Sequence, residues 1–141
     1  MTAPSATEPS EPRSAVIAGS FVVRVDALSR TPASEQLRVQ VLGAVQRGDL
    51  VAGAQLPPVR QLADELHLAP NTVAKVYREL ERDEVVVTRG RNGTSIAPTG
   101  VGPERQAQLA ALEYAGRVRE LGIHSARALE IVAEALGEPS A

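Results

Sequence analysis

A connection of only three residues between two amphipathic segments is the feature that most restricts how this chain folds. The segment 59–66 carries apolar side chains at helical spacing, and a second such segment begins at Pro70 or Asn71 and extends to about Asp83. Residues 67–69 separate them. The apolar positions are Leu62, Ala63 and Leu66 in the first segment and Val73, Val76, Tyr77 and Leu80 in the second. Two helices joined this tightly predict a helix-turn-helix.

The flanking sequence extends this motif on both sides. Residues 35–47 place apolar side chains at helical spacing after Pro32, taken as the first helical position, and Gly48 is expected to end that helix. After the helix pair, two β-prone runs, 85–88 and 94–97, flank a glycine-bounded turn, which predicts a β-hairpin. Three helices followed by a hairpin predict a mainly α fold with a small β-hairpin, a winged helix-turn-helix.

The remaining sequence divides into a leader, a hinge and a tail. Residues 1–20 are polar and interrupted by Pro and Gly, and they predict a disordered leader. Residues 21–26 predict an edge strand with a partner elsewhere, so the winged domain is expected to span 21–97. Several Pro and Gly predict a hinge at 98–103, and a helical segment is expected at 104–137.

Composition narrows the class of function. The chain has no Cys, which excludes disulfides, thiolate metal sites and a cysteine nucleophile. Its two histidines, His67 and His124, lie far apart in sequence and are expected in turns rather than at a metal. With no phosphate-binding glycine loop and no catalytic arrangement, we expect neither a cofactor nor enzymatic activity. Neither a membrane span nor a signal peptide is recognisable, so the expected location is cytoplasmic.

The charge distribution is more informative than the net charge. A formal net charge of -2 argues against a generic nucleic-acid binder. The stretch 85–96, however, holds Arg89 and Arg91 and no acidic residue, which makes the predicted hairpin tip locally positive. We therefore expect this tip to contact phosphates or an adjacent minor groove, the alternative being an ordinary soluble hairpin tip.

The third predicted helix carries the other candidate contacts to DNA. Asn71 and Thr72 supply short hydrogen-bonding side chains in its first turn, as a helix entering a major groove needs. Lys75 and Arg78 follow one turn later, within reach of base edges or phosphates, and Arg60 opens the preceding helix nearby. The alternatives are residues that merely start a helix, an ordinary solvated face and, for Arg60, local charge pairing.

Several motifs in fixed order resemble a known family. They are EQL at 35–37, the glycine-bounded stretch 48–53, LPPVRQLA at 56–63, NTVA at 71–74, YREL at 77–80 and TRGRNGT at 88–94. Over residues 29–97 the chain resembles the DNA-binding domain of GntR-family bacterial transcription regulators. The resemblance implies that DNA is contacted by Arg60, Pro70, Asn71, Thr72, Arg89, Gly90, Arg91 and Gly93. Asn92, in the same turn, is a further candidate contact. The chain departs from the usual pattern at Ala69, where a capping residue is common, and at Asn92, where a basic residue or Gly is frequent.

The tail is too short for the large effector domain of most GntR regulators, since only about forty residues follow Pro98. In size it resembles the short YtrA-like subfamily, whose tails form homodimers and whose members often control genes for ABC transporters. The residues support dimerisation independently. Two amphipathic helices cannot bury both of their apolar stripes alone. The first is ended by Gly122 and the second is capped by Ser125; the stripe of the first is formed by Ala107, Ala111, Ala115, Val118 and Leu121.

We therefore expect a two-fold partner to cover the tail, the alternative being a ligand pocket. The expected interface residues are Leu109, Leu112, Ala115, Val118, Leu121, Leu129, Val132 and Leu136.

Two hypotheses follow. The first is a sequence-specific transcriptional regulator, a repressor, that binds a pseudo-palindromic operator as a homodimer and controls transporter genes. The second is a protein-interaction module whose winged helix no longer binds DNA. The sequence identifies no operator and no small-molecule effector.

Overall fold

The computed structural model describes residues 12–19, 21–90 and 93–138. The chain divides into two compact units, Met1–Thr99 and Gly100–Ala141, called the first unit and the second unit below. Along the described residues, the first unit holds a strand pair, three helices and another strand pair, and the second holds two helices. Within these residues, no helix combines the length and the apolar character needed to cross a membrane.

An N-terminal β-hairpin precedes the helices. Strands β1 (Arg13–Ala18) and β2 (Phe21–Val25) pair antiparallel. Their buried side chains alternate along each strand and are Ala15, Ile17, Val23 and Val25. The prediction of a disordered leader is therefore wrong for residues 13–18, and the partner of the predicted edge strand lies immediately before it. Polar composition concealed an alternation that is stabilised only by pairing. Residues 1–11 and 20 of that leader lie outside the described residues.

Helix α1 (Ala33–Arg47) covers the other edge of β2 with two glutamine side chains. Gln36 accepts a hydrogen bond from the Asp26 amide at 2.8 Å and donates one to the Asp26 carbonyl at 3.0 Å. Gln40 makes the equivalent pair with Arg24, at 2.9 and 2.6 Å. Since unpaired backbone groups at a strand edge favour pairing with other chains, these side chains take the place of a third strand.

The predicted helix-turn-helix is confirmed, with helices α2 (Val59–Leu66) and α3 (Pro70–Arg82). Gly48 ends α1 as predicted, with a left-handed φ of 86°. His67 ends α2 in the same left-handed region, at φ 57°, although it has a side chain. The buried residues of the three helices are Leu37, Val41, Ala44, Leu62, Ala63, Leu66, Val73, Val76, Tyr77 and Leu80. They join the hairpin residues in one hydrophobic core.

The predicted wing is also present. Strands β3 (Val86–Thr88) and β4 (Thr94–Ile96) pair antiparallel after α3. The other edge of β4 pairs with the segment 53–58, which we call the strap. Three backbone hydrogen bonds of 2.8, 2.8 and 2.9 Å join the strap to β4. The strap therefore serves as the third member of the wing sheet and then leads directly into α2.

The second unit contains helices α4 (Gly102–Glu120) and α5 (Ser125–Ala135). The hinge predicted at 98–103 is too long, because its last two residues already belong to α4. A proline in the first turn suits a helix start, since no amide is needed there. The predicted cap at Ser125 is also wrong, because the N-cap position is occupied by His124 and no side chain caps the helix.

The buried side of α4 differs in part from the predicted apolar stripe. Ala107, Ala111 and Leu121 are exposed and Ala115 and Val118 are half-buried, whereas Leu112 and Gly116 are buried. A leucine gains more from burial than an alanine does, and a glycine allows close approach of a neighbouring group. The buried side of α4 therefore centres on Leu112 and Gly116 rather than on Ala107 and Ala111.

Helix α5 buries a small residue and leaves large ones in solvent. Ala128 is buried, and its carbonyl accepts a hydrogen bond from the Tyr114 hydroxyl at 2.8 Å. By contrast, Leu121 is 57% exposed, Leu129 71% and Leu136 72%. Much of the apolar surface predicted for the tail is therefore uncovered in the single chain.

Candidate nucleic-acid interface

The outward face of α3 carries the predicted polar side chains. Asn71, Lys75 and Arg78 are exposed and follow one another at spacings of four and three residues, which places them on one helix face. Thr72, beside them in the first turn, is half-buried. The opposite face is the buried one, so core packing holds α3 with these polar residues toward solvent.

The basic residues of this region differ in whether they form an ion pair. Arg82 lies 3.9 Å from the carboxylate of Asp83. Arg60, Lys75 and Arg78 form no ion pair with any residue in the described part of the chain. Their charges are therefore available to phosphates, whereas that of Arg82 is partly compensated.

The N-terminus of α3 is not capped by any side chain. Ala69 occupies the N-cap position, and Pro70, which has no amide hydrogen, follows in the first turn. The Thr72 amide bonds back to the Ala69 carbonyl at 2.9 Å. The N-cap position of α2 is occupied by Pro58, likewise with no side-chain cap. Each helix start therefore keeps a partial positive charge that no side-chain oxygen offsets, which favours an anion.

Arg60 is the second residue of α2 and is exposed. Just before this helix, the Pro57 carbonyl accepts a hydrogen bond from the Tyr77 hydroxyl of α3 at 2.6 Å. Burial raises the pKa of Tyr77 well above its usual range, so the hydroxyl stays protonated as a donor. Sequence reasoning placed Tyr77 in the core but missed this bond. The available signal was a tyrosine, rather than a phenylalanine, at a buried helix position.

The wing tip is a tight turn closed by backbone hydrogen bonds. The Arg89 amide donates to the Gly93 carbonyl at 2.8 Å, and the Gly93 amide donates to the Gly90 carbonyl at 3.1 Å. Gly90 and Gly93 have φ values of 54° and 75°, a region that residues with a Cβ rarely adopt, so both glycines are needed for the turn. Arg89 lies at the base of this turn and is half-buried. Two further predicted contact residues, Arg91 and Asn92, lie outside the described residues.

The strap connects the wing, α3 and α2, the three elements that carry the candidate DNA-contact residues. On one side it pairs with β4 of the wing, on the other it accepts the hydrogen bond from Tyr77 of α3, and its end leads into α2 and Arg60. Sequence patterns did not reveal this connection, because the strap belongs to no regular helix or hairpin. Within the described ranges no cluster of His, Cys, Asp or Glu side chains is arranged to hold a metal ion.

Comparison with known proteins agrees with this geometry. Residues 33–96 match the gntR family of bacterial regulatory proteins. The chain is 44% identical over 110 residues to the HTH-type transcriptional regulator Rv1152 of Mycobacterium tuberculosis, covering 76% of this chain and 88% of that protein. It is 38% identical over 76 residues to the HTH-type transcriptional repressor YtrA of Bacillus subtilis, covering 54% of this chain and 58% of that protein.

The fold also resembles a solved structure of YtrA from Sulfolobus acidocaldarius, a GntR-family transcription factor. The TM-score is 0.52 at 21% identity, with 82% of this chain and 97% of that chain covered. At this identity the likeness concerns the fold alone. The sequence relatives are regulators rather than enzymes, as the motifs predicted. The chain belongs to the gntR family of bacterial regulatory proteins and is a DNA-binding transcriptional regulator with a winged helix-turn-helix.

Proposed function

We propose that this regulator is a repressor that binds a pseudo-palindromic operator as a homodimer. Contact with the operator is supported by the outward face of α3, where Asn71, Lys75 and Arg78 follow an uncapped helix start and neither cation is paired within the described chain. Repression is supported by the likeness to a Bacillus subtilis protein named as a transcriptional repressor. Control of transporter genes is what the resemblance to the YtrA-like subfamily implies.

In this proposal α3 enters the major groove and Asn71 and Thr72 contact base edges. Lys75 and Arg78 contact base edges or phosphates one turn later, while the first turn at Pro70 offers its backbone to a phosphate. Arg60 contacts a phosphate from the start of α2. The wing contacts the adjacent groove through Arg89, Gly90, Arg91, Asn92 and Gly93.

Exposed leucines in the second unit support the homodimer. Of the predicted interface residues, Leu121, Leu129 and Leu136 are exposed, and Leu109, Ala115, Val118 and Val132 are half-buried. Leu112 is only 6% exposed in the single chain, so it offers little surface to a partner. We therefore no longer include it among the proposed interface residues. A two-fold axis through such a surface doubles the number of DNA contacts and makes the operator symmetric.

Selection from a random duplex DNA library tests this proposal. The full chain is incubated with the library at moderate salt, and the bound pool is sequenced. We expect an inverted repeat whose half-sites are separated by about one helical turn, 10–10.5 base pairs, or a multiple of it. Enrichment of a sequence without two-fold symmetry contradicts the homodimer. No enrichment, together with stoichiometric capture of one other protein, favours the interaction-module hypothesis.

Arg60 provides a residue-level test on the selected operator. Arg60→Ala removes one phosphate contact per subunit, and each contact contributes about 0.9 to the slope of log affinity against log salt, so the slope should fall by roughly 1.8 for a dimer. Arg30→Ala, at an exposed arginine outside the proposed interface, is the matched control and should leave the slope unchanged. Equal slopes for Arg60→Ala and the unsubstituted protein contradict the assigned contact.

Lys75 allows a direct footprint, because it is the only lysine in the chain. An amine-reactive acetylating reagent modifies Lys75 and the N-terminal amine, which serves as the internal reference. Bound operator should slow acetylation of Lys75 relative to that reference, whereas a scrambled duplex at the same concentration should not. Equal rates with both duplexes contradict a contact at this face of α3.

A further inference from the structure

The Tyr77 hydroxyl makes a bond that core packing does not require. Tyr77 is 8% exposed and lies on the buried face of α3 among apolar residues such as Val73, Val76 and Leu80. A phenylalanine ring would fill the same space. Among the described residues, the partner of its hydroxyl is the Pro57 carbonyl, at 2.6 Å in a buried hydrogen bond. The bond therefore links the recognition helix to the strap at a defined point.

Two consecutive prolines, Pro57 and Pro58, connect the carbonyl that binds Tyr77 to the start of α2 and Arg60. A proline ring restricts φ to near -65°, and Pro58 has φ -58° and ψ 151°. The Pro58 carbonyl then accepts the Leu62 amide at 3.0 Å, which starts α2. Only Val59 stands between Pro58 and Arg60. Because the backbone between Pro57 and Arg60 has little conformational freedom, the position of the Pro57 carbonyl sets where the first turn of α2 begins.

The strap is held independently from its other side. The Leu56 amide donates to the Thr94 carbonyl of β4 at 2.9 Å, and Gly53 and Ala54 bond to Ile96. Burial of Leu56 and the bonds to the wing hold the strap from that side. Without the Tyr77 bond, no hydrogen bond would fix the Pro57 carbonyl relative to α3, so the start of α2 could shift slightly while the core stays packed. A charge-assisted phosphate contact depends steeply on distance, so such movement weakens it.

We propose that the Tyr77 hydroxyl is a positioning group for Arg60, holding the start of α2 at the distance from α3 that lets both elements reach the same DNA backbone. This inference rests on the proposed function, because it concerns the phosphate contact assigned there to Arg60. Tyr77 itself is buried and does not touch DNA; it acts through the Pro57 carbonyl.

The test is a double-mutant cycle on the selected operator. Tyr77→Phe is made in the unsubstituted protein and in Arg60→Ala, and affinity is measured by fluorescence anisotropy at several salt concentrations. Tyr77→Phe is expected to weaken operator binding about fivefold in the unsubstituted protein, because it displaces the Arg60 phosphate contact. In the Arg60→Ala protein it should weaken binding no further, since the contact it positions is already absent. The salt slope should fall with Tyr77→Phe as it does with Arg60→Ala.

Tyr114→Phe is the matched control. The Tyr114 hydroxyl donates to the Ala128 carbonyl at 2.8 Å in the second unit, so the same atom and the same kind of bond are removed. Both variants should lose thermal stability, but only Tyr77→Phe should lose operator affinity. All affinities are measured below the melting temperature, with the folded fraction determined by circular dichroism and the dimer verified by sedimentation.

Three results overturn the proposal. The first is unchanged affinity in Tyr77→Phe, and the second is an equal loss in both backgrounds, which shows that Tyr77 does not act through Arg60. The third is a loss that disappears once the folded fraction is taken into account. If Arg60→Ala itself leaves affinity unchanged, the contact assigned under the proposed function fails, and that result is distinguishable because it does not involve Tyr77.

Discussion

The two units bury their amphipathic helices to very different extents. In the first unit, buried side chains from β1, β2, the three helices and the wing form one cluster. In the described part of the second unit, the buried apolar side chains are Leu112 and Ala128, while Leu129 and Leu136 are more than two thirds exposed. The leucines left exposed in α5 are as large as those buried in α2 and α3. The number of neighbouring elements therefore contributes to the difference.

The number of neighbouring elements explains this difference. One neighbouring helix cannot cover a broad apolar stripe, so a helix with such a stripe needs neighbours on more than one side. In the first unit a hairpin, two further helices and a wing supply them. The described part of the second unit has two helices, and in such a pair each helix covers only the surface of the other that faces it. The first unit thus completes its own core, whereas the second leaves apolar surface that a second copy of the chain is proposed to cover.

The largest expected effect contrasts one leucine from each unit. Leu62 is fully buried and Leu129 is 71% exposed. Leu62→Ala should lower the free energy of unfolding by about 3 kcal/mol, because it leaves a cavity in the core. Leu129→Ala should change it by less than about 0.5 kcal/mol at concentrations where the chain is monomeric. Urea unfolding measured by circular dichroism checks both. Equal losses would show that the second unit has a closed core of its own.

A smaller effect is expected on association. Leu129→Glu places a charge in the apolar surface of α5, and we expect it to weaken the dimer at least tenfold, since burying an unpaired charge is costly. Sedimentation velocity over a concentration series measures this. Glu130→Gln, next to Leu129 on the exposed helix surface, is the control and should leave association nearly unchanged. Unchanged dimer affinity in Leu129→Glu would show that the interface lies elsewhere. A second copy of the chain would then not explain the exposed apolar surface of α5.

The smallest effect concerns backbone strain in the first unit. His67 and Glu84, at either side of α3, adopt left-handed φ values of 57° and 63°. His67→Gly and Glu84→Gly should each raise the free energy of unfolding by roughly 0.5–1 kcal/mol, because glycine adopts this region without a steric penalty. Gln61→Gly, inside α2, should lower it by roughly 0.5 kcal/mol. Thermal unfolding compares the three. Destabilisation by both left-handed substitutions would show that contacts of the replaced side chains outweigh the strain.

Local sequence patterns were sufficient for several elements. The bounds of α2 and α3 follow from apolar spacing over a few turns and from the prolines and the turn that limit them. The wing follows from two β-prone runs around Gly90 and Gly93. Asn71, Lys75 and Arg78 were correctly placed on the exposed face, because the same spacing that buries one side of a helix exposes the other.

Other features depended on contacts between distant residues. Strand β1 was taken for leader because Ala15 and Ile17 are too few to identify a strand until β2 pairs with it. The pairing of Gln36 and Gln40 with the backbone was not predicted, since their partners lie 10 and 16 residues away. The buried side of α4 was misjudged because the neighbours that cover Leu112 are not visible from its own helix.

The sequence by itself determined the winged helix-turn-helix, the family and the polar face of α3, because these are set by short-range spacing and by motifs in fixed order. Only the tertiary structure decided that the strap joins the wing to α2, that Tyr77 donates to Pro57, and which leucines of the tail remain exposed. Such features depend on which surfaces meet in space. Spacing along one helix shows that a face is apolar, but burial is a property of two surfaces, and the second is supplied only by the fold.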